Sequence, residues 1–383
     1  MTRIAIPKET APREARVAIT PDTAARLVKK GFEVSVQRGA GQGAQIDDGE
    51  YAKAGARLEA DAAAVWRAGD VVVKVRPPSD DEVAMVRQGQ TVISLLYPLS
   101  SGELVRDLAA RGATALAADM VPRTTAAQMM DVLSSQATIA GYRAVLIAAD
   151  ALPKFFPMLM TAAGTISPAR VLVLGAGVAG LQAIATARRL GAVVEAFDVR
   201  KAAKEQVESL GAKFIEVPSA EDAQTAGGYA KEVSEEYKQK QAALLLQALG
   251  RCDAVITTAL IPGKRAPVLI TAEMVRAMKR GSVIVDMAAE QGGNCALTRP
   301  GQRKVTDDGV VIIGELDLAS QVAVHASQMY SRNMEKLLLH VSRDGALVLA
   351  AGDEIVKGML IIRDGVVVHD QVAVAAAKKE LAA

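Results

Sequence analysis

Arg170-Val171-Leu172-Val173-Leu174-Gly175-Ala176-Gly177-Val178-Ala179-Gly180 is an apolar run of strand length closed by a glycine triplet, and residues 181–190 continue it with helical spacing. Between a strand and a helix, this spacing gives each glycine its own task. Gly175 permits the tight turn, Gly177 lets the backbone approach a pyrophosphate, and Gly180 lets the helix pack close to the sheet. The helix N-terminus favours the anion. The next strand, 193–197, ends at Asp198, eighteen positions after Gly180. A carboxylate there accepts both ribose hydroxyls and repels a 2′-phosphate, which selects NAD over NADP. Arg200, two positions on, keeps an NADP reading open. A tight turn that binds nothing is the alternative, and strand, helix and acid together argue against it.

Outward from this turn, short apolar runs alternate with helical stretches. Runs at 4–7, 33–37, 71–75, 91–95 and 113–116 read as strands, with helical spacing at 21–30 and 101–111. The pattern repeats at 170–174, 193–198, 213–216, 254–258, 282–286 and 310–313. Such alternation means parallel sheets covered by helices on both faces. Two series predict an α/β chain of two doubly wound Rossmann-like domains, with the cleft between them as the ligand site. Residues 126–151 read as one long helix, 318–340 as a second that returns to the first domain, and 354–368 as a hairpin turning at Asp364-Gly365. The expected division puts 1–125 and 330–383 in one domain and 126–329, with the linking helices, in the nucleotide-binding one.

The totals agree. A chain of 383 residues fits two domains, and 50% apolar with 23% charged residues is globular composition. A net charge of +2 without a basic run argues against nucleic acid or an anionic membrane as main partner. Cys252 and Cys295 have neither metal spacing nor a disulfide framework and read as buried small hydrophobes. The most apolar stretch, 144–163, is broken by Asp150, Pro153 and Lys154, and residues 1–7 form a strand and no signal region. No direct membrane insertion and a cytoplasmic location are expected.

A second cluster, Gly39-Ala40-Gly41-Gln42-Gly43-Ala44, fits the same pattern formally. Its continuation, Gln45-Ile46-Asp47-Asp48-Gly49, is turn-like, and no acid follows at the end of a next strand. It reads as a structural loop.

Arg123, Gln128, Asp131, Ser134, Ser135 and Gln136 make 121–136 unusually polar. A helix from about 125 would align Gln128, Asp131 and Ser135, with Arg123 able to pair with Asp131. A solvated, capped helix face is the competing reading. His325, His340 and His369 all lie in the last sixty residues. Oxidation of an alcohol or amine moves a proton as well as a hydride. Transfer between two nicotinamide rings moves none at the reacting carbons, and a site of amide, carboxylate and arginine suits it; Lys8 and Lys74 are the candidate bases otherwise. Thr225-Ala226-Gly227-Gly228-Tyr229 before a charged helix at 230–241 reads either as a hinge with a covering tyrosine or as a surface loop.

Ile6-Pro7-Lys8-Glu9 with Arg16-Val17-Ala18 resembles the shared opening of alanine dehydrogenases and transhydrogenase alpha subunits. Residues 123–136, 140–145, 160–165, 225–232, 257–263 and Gln291-Gly292-Gly293-Asn294-Cys295 are similar to the transhydrogenase branch. The resemblance implies the soluble NAD(H)-binding component of a proton-translocating NAD(P) transhydrogenase in its split-subunit form. It implies a homodimer, an NADP(H)-binding beta subunit, a small membrane-spanning alpha subunit, and a place on the inner face of the cell membrane held through those partners. On its terms Arg123, Gln128, Asp131 and Ser134 position the dihydronicotinamide and its ribose. Val178 and Asp198-Val199-Arg200 hold the pyrophosphate and adenosine side, Gly228 and Tyr229 belong to a mobile loop, and Gln241 and Leu260 complete the pocket. Alanine dehydrogenases carry a catalytic His where this chain has Leu96-Tyr97-Pro98 and an Asp where it has Glu290, although Arg16 and Lys74 match their substrate-binding pair.

Overall fold

The computed structural model describes residues 1–217, 234–261 and 263–380. The chain divides into two compact units, 1–136 with 320–383, and 137–319.

In the first unit, β1 (Arg3–Ile6), β2 (Glu33–Gln37), β3 (Arg57–Glu59), β4 (Val71–Val73), β5 (Thr91–Ser94) and β6 (Thr114–Ala117) form a parallel sheet in the order 6-5-4-1-2-3. The second unit opens on a hairpin, β7 (Leu159–Thr161) and β8 (Gly164–Ile166). It continues with β9 (Arg170–Leu174), β10 (Val193–Phe197), β11 (Lys213–Phe214), β12 (Ala254–Thr257), β13 (Val283–Asp286), β14 (Arg303–Val305) and β15 (Val311–Ile313), ordered 11-10-9-12-13-15-14. Among the described strands of this sheet only β14 runs antiparallel. The chain then re-enters the first unit, where β16 (Ser342–Arg343) pairs with β17 (Ala346–Leu347). β18 (Leu360–Arg363) pairs antiparallel with β6, and β19 (Val366–Val367) closes that edge.

Strands covered by helices on both faces lose the alternation of a half-exposed sheet. Every residue of β4, β5, β6, β12 and β13 is buried. In each sheet the strand order reverses beside the first strand of the series, between β1 and β4 and between β9 and β12. Crevices form at the carboxyl ends of strands at such reversals. The glycine triplet follows β9.

Three expectations are corrected. Residues 126–151 are not one helix. Gln128–Met130 form a 3-10 turn, Asp131 is extended (ψ 90°), and the helix is Val132–Ala151. Asp131 stops the earlier turn by capping the later helix: its carboxylate accepts from the Ser134 N–H at 2.9 Å. The hairpin expected at 354–368 is shorter, because Asp353 accepts from the Ile355 and Val356 N–H groups and starts a helix, Glu354–Met359. Strands 360–363 and 366–367 then turn at Asp364 and Gly365, both at positive φ (48° and 83°). The most apolar helix is Val132–Ala151 instead of the stretch 144–163; among the described residues it alone is long and apolar enough to cross a membrane. It carries Arg143 and Asp150, and Ala144, Val145 and Ala148 lie in the core of the second unit.

Candidate functional site

The glycine triplet has the three-part geometry its spacing calls for. Gly175 sits at φ 98°, and a Cβ there would meet Thr258 Oγ1 at 2.6 Å. At Gly180 a Cβ would collide with the carbonyl oxygen of Gly175, so only glycine lets helix Val178–Arg189 start this close to β9. Gly177, between them, has no described residue within 4 Å of its Cβ position. Val178, the first helical residue, is 40% exposed. An open backbone face between two packed glycines, at the N-terminus of a twelve-residue helix, fits the pyrophosphate of a dinucleotide.

Asp198 lies at the end of β10, as expected, but its carboxylate is already engaged. It accepts from the Ala176 N–H (2.7 Å), which ties the triplet to the neighbouring strand. It also accepts from the Arg200 N–H (2.9 Å), Nε (2.9 Å) and Nη2 (2.7 Å). The Asp198 hydrogen bond holds the Arg200 guanidinium above its usual pKa, more than offsetting burial. Val199 packs against the core between them.

On the other side of the turn Thr258 Oγ1 donates to Gly175 O at 3.0 Å. Asn294, fully buried, grips the next residue at both ends: Oδ1 accepts from the Ala259 N–H (3.0 Å) and Nδ2 donates to Ala259 O (2.8 Å). Leu260 follows, 44% exposed. Spacing gives no signal for Thr258 or Asn294 as supports; they lie in segments that stand out only by resemblance. Gln241 sits partly exposed inside helix Glu235–Arg251, which runs ten residues past the end expected for the charged helix. Gly228 and Tyr229 lie outside the described residues.

In the first unit, Arg123 and Gln128 are exposed and Asp131 and Ser134 half-buried. Asp131 and Ser134 form one cap, the Ser134 N–H and hydroxyl both donating to the carboxylate, so the helical face expected to join Gln128, Asp131 and Ser135 does not exist. Asn333, buried on helix Ala323–His340, donates from Nδ2 to Met129 O at 2.8 Å and pins the 3-10 turn that presents Gln128. Nothing in the sequence marks Asn333, which is 205 positions from Gln128.

The corresponding crevice of this unit is filled. Lys74, fully buried beyond β4, donates to Glu82 (2.8 Å) and Glu9 (3.2 Å), and these carboxylates hold its pKa up against burial. Arg16 donates to both oxygens of Glu14 (2.7 and 2.6 Å) and to Gln136 Oε1 (2.8 Å). Burial alone would raise the Glu14 carboxyl, but Arg16 and Arg76 hold it down to about 2. The two cations that match an amino-acid site are thus occupied by the chain's own carboxylates. Among the described residues no group of His, Cys, Asp or Glu could hold a metal ion. Both cysteines are free and buried, and burial pushes the Cys252 thiol up to about 12.

Comparison with known proteins agrees with this geometry. Residues 5–140 match the family described as alanine dehydrogenase/PNT, N-terminal domain, and residues 144–370 match its C-terminal domain. The chain is 52% identical over 376 residues to the first part of the NAD(P) transhydrogenase subunit alpha of Rhodospirillum rubrum, covering 96% of this chain and 98% of that one. With an alanine dehydrogenase of Halomonas elongata the identity is 32%, covering 97% of this chain and 96% of that one. The crystal structure of transhydrogenase from Sinorhizobium meliloti superposes with a TM-score of 0.88 at 47% identity, covering 96% of this chain and all of that one. Two Rossmann-like units, an intact glycine triplet and this margin of identity over the dehydrogenase place the chain in the alanine dehydrogenase/PNT family, among the NAD(P) transhydrogenase alpha subunits.

Proposed function

We propose that this chain binds NAD(H) at the glycine turn of its second unit and passes a hydride from NADH to NADP⁺ held by a partner beta subunit. The complete enzyme is then a Re/Si-specific, proton-translocating NAD(P)⁺ transhydrogenase whose membrane subunits carry the proton. The observation that carries the reading is the open face of Gly177 between two glycines that packing forbids to change.

Bound NADH supplies the hydride from its dihydronicotinamide ring; the chain supplies position. The N–H groups at the start of helix Val178–Arg189 receive the pyrophosphate, and Asp198, Val199 and Arg200 take the adenosine side. Arg123 and Gln128 orient the nicotinamide and its ribose. Their turn is suited to this because Asn333 and the Asp131 cap fix it from two sides. Gln241 and Leu260 complete the pocket. No residue need act as a base, because no proton leaves the reacting carbons.

Amino-acid oxidation is disfavoured by the Glu14–Arg16 and Glu9–Lys74–Glu82 pairs, which leave neither cation open to a substrate carboxylate. A homodimer is supported by the hairpin β7–β8, which pairs with no other strand among the described residues and whose Met160 and Ile166, with Met158 just before it, are 77%, 41% and 55% exposed. We place the chain in the cytoplasm, peripheral to the inner face of the membrane through its partners.

The test is transfer of deuterium from the ring of labelled NADH to NADP⁺, with the chain alone and mixed with an NADP-binding partner domain. Transfer in the mixture only is expected. Transfer by the chain alone, or alanine-dependent reduction of NAD⁺, would contradict the proposal.

A further inference from the structure

Gly141 is buried inside helix Val132–Ala151. Glycine in a helix interior costs about 1 kcal/mol relative to alanine, so its presence there calls for a close neighbour. That neighbour is backbone of the same unit: a Cβ on Gly141 would collide with the carbonyl oxygen of Ala179 and lie 2.9 Å from its carbonyl carbon. Ala179 is the second residue of helix Val178–Arg189, which follows the glycine turn. Its carbonyl shares one rigid trans peptide plane with the Gly180 N–H, and the two point in opposite directions. The ladder of this helix begins where the Leu181 N–H donates to Gly177 O at 2.8 Å. The N–H groups of residues 178–180 therefore belong to the open end of the helix. At its other end the Ala179–Gly180 plane is held by Gly175, whose carbonyl oxygen a Cβ on Gly180 would strike. One peptide plane is thus wedged between the glycine turn and the backbone of Gly141.

We propose that Gly141 is a positioning residue of the nucleotide site: by letting its helix seat the carbonyl of Ala179, it aims the Gly180 N–H at the pyrophosphate. This rests on the reading that NAD(H) binds at this turn. It also gives a task to residues 140–145, which stand out in the sequence only by resemblance. A methyl group on Gly141 has to push the plane by roughly 1 Å to reach ordinary van der Waals contact. Because the plane is rigid, the N–H at its far end moves with the carbonyl, and a hydrogen bond to a phosphate oxygen weakens steeply with misalignment. The adenosine side is framed by the end of β10, which this plane does not carry.

The test measures NADH binding by nucleotide fluorescence, and displacement of bound NADH by ADP-ribose and by adenosine, on the unaltered chain and on Gly141→Ala. ADP-ribose keeps the pyrophosphate without the nicotinamide, and adenosine has neither. Gly141→Ala is expected to bind NADH and ADP-ribose about tenfold more weakly, the loss of about one hydrogen bond to a charged group, and adenosine within about twofold. A loss shared equally by all three ligands is a general distortion and overturns the proposal, as does unchanged affinity for NADH and ADP-ribose; both leave the NADH site standing. An unaltered chain that binds no NADH overturns the proposal together with the reading it rests on. Where Gly141→Ala does not fold in buffer, the titrations are made in trimethylamine N-oxide, which strengthens folding without touching the contact. A variant still unfolded there makes Gly141 a packing residue alone and overturns the proposal.

Discussion

Glycine clusters at 39–43 and 175–180 are spelled almost alike and do different work. In the first, a Cβ on Gly41 would meet Ile46 at 2.8 Å, and one on Gly43 would meet the Ala15 carbonyl oxygen at 2.5 Å. Those glycines exist so that the chain can fold onto itself, and the segment they hold is the one between Glu14 and Arg16. The second cluster has packed glycines at both ends and an open one in the middle. The units differ in the same sense: beside β1 the crevice is filled by Lys74, Glu9 and Glu82, whereas beside β9 no described residue lies against the Cβ position of Gly177. A glycine pattern becomes a site only where one glycine has nothing against it.

Substitutions within the clusters separate packing from binding. The largest effect is expected at Gly180→Ala, where the new methyl has only backbone to push against. Chemical denaturation should show roughly 3 kcal/mol lost, the upper range for overpacking, and an unchanged midpoint would mean the helix does not start where described. Gly43→Ala should cost about 2 kcal/mol by displacing Ala15, yet leave the NADH dissociation constant of the folded protein within twofold; a larger change would make the first cluster part of the nucleotide site. Gly177→Ala should invert that outcome. Its stability should stay within about 0.5 kcal/mol, while NADH binding weakens about tenfold, or roughly 1.4 kcal/mol. Retained affinity would erase the distinction between the clusters.

Smaller effects probe the surroundings of each cluster. Gln128→Asn withdraws the amide by one methylene and should slow hydride transfer severalfold with NADH affinity nearly unchanged, because misplacement costs rate before binding; equal rates would remove Gln128 from the site. Glu14 is held at about 2 against an ordinary 4.5, so it stabilises the fold fully above 4.5. That contribution should fade as pH falls from 4.5 toward 2, seen as a declining unfolding temperature, and Gly43→Ala should reduce the decline by loosening the Glu14–Arg16 pair. A decline equally steep in both proteins would uncouple the loop from the pair.

Parallel strands are legible in the sequence because their residues are buried on both faces, and the glycine triplet because its three positions carry three different steric demands. Short edge strands such as β3, β14 and β17 are not, since two or three residues make no period. The 3-10 turn at Gln128 reads as helix because capping by Asp131 is a choice between two local hydrogen-bond patterns that composition does not decide. Asn333 and Asn294 escape because each acts across the fold, on Met129 and Ala259. Asp198 is found by its position, but its engagement by Arg200 depends on a side-chain conformation that no spacing encodes.

Amide hydrogen exchange of the chain with and without NADH decides between the two clusters. Protection is expected to rise at 175–180 and 198–200 and to stay constant at 39–44. Protection at 39–44, or none at 175–180, would contradict the assignment of the nucleotide to the open glycine turn.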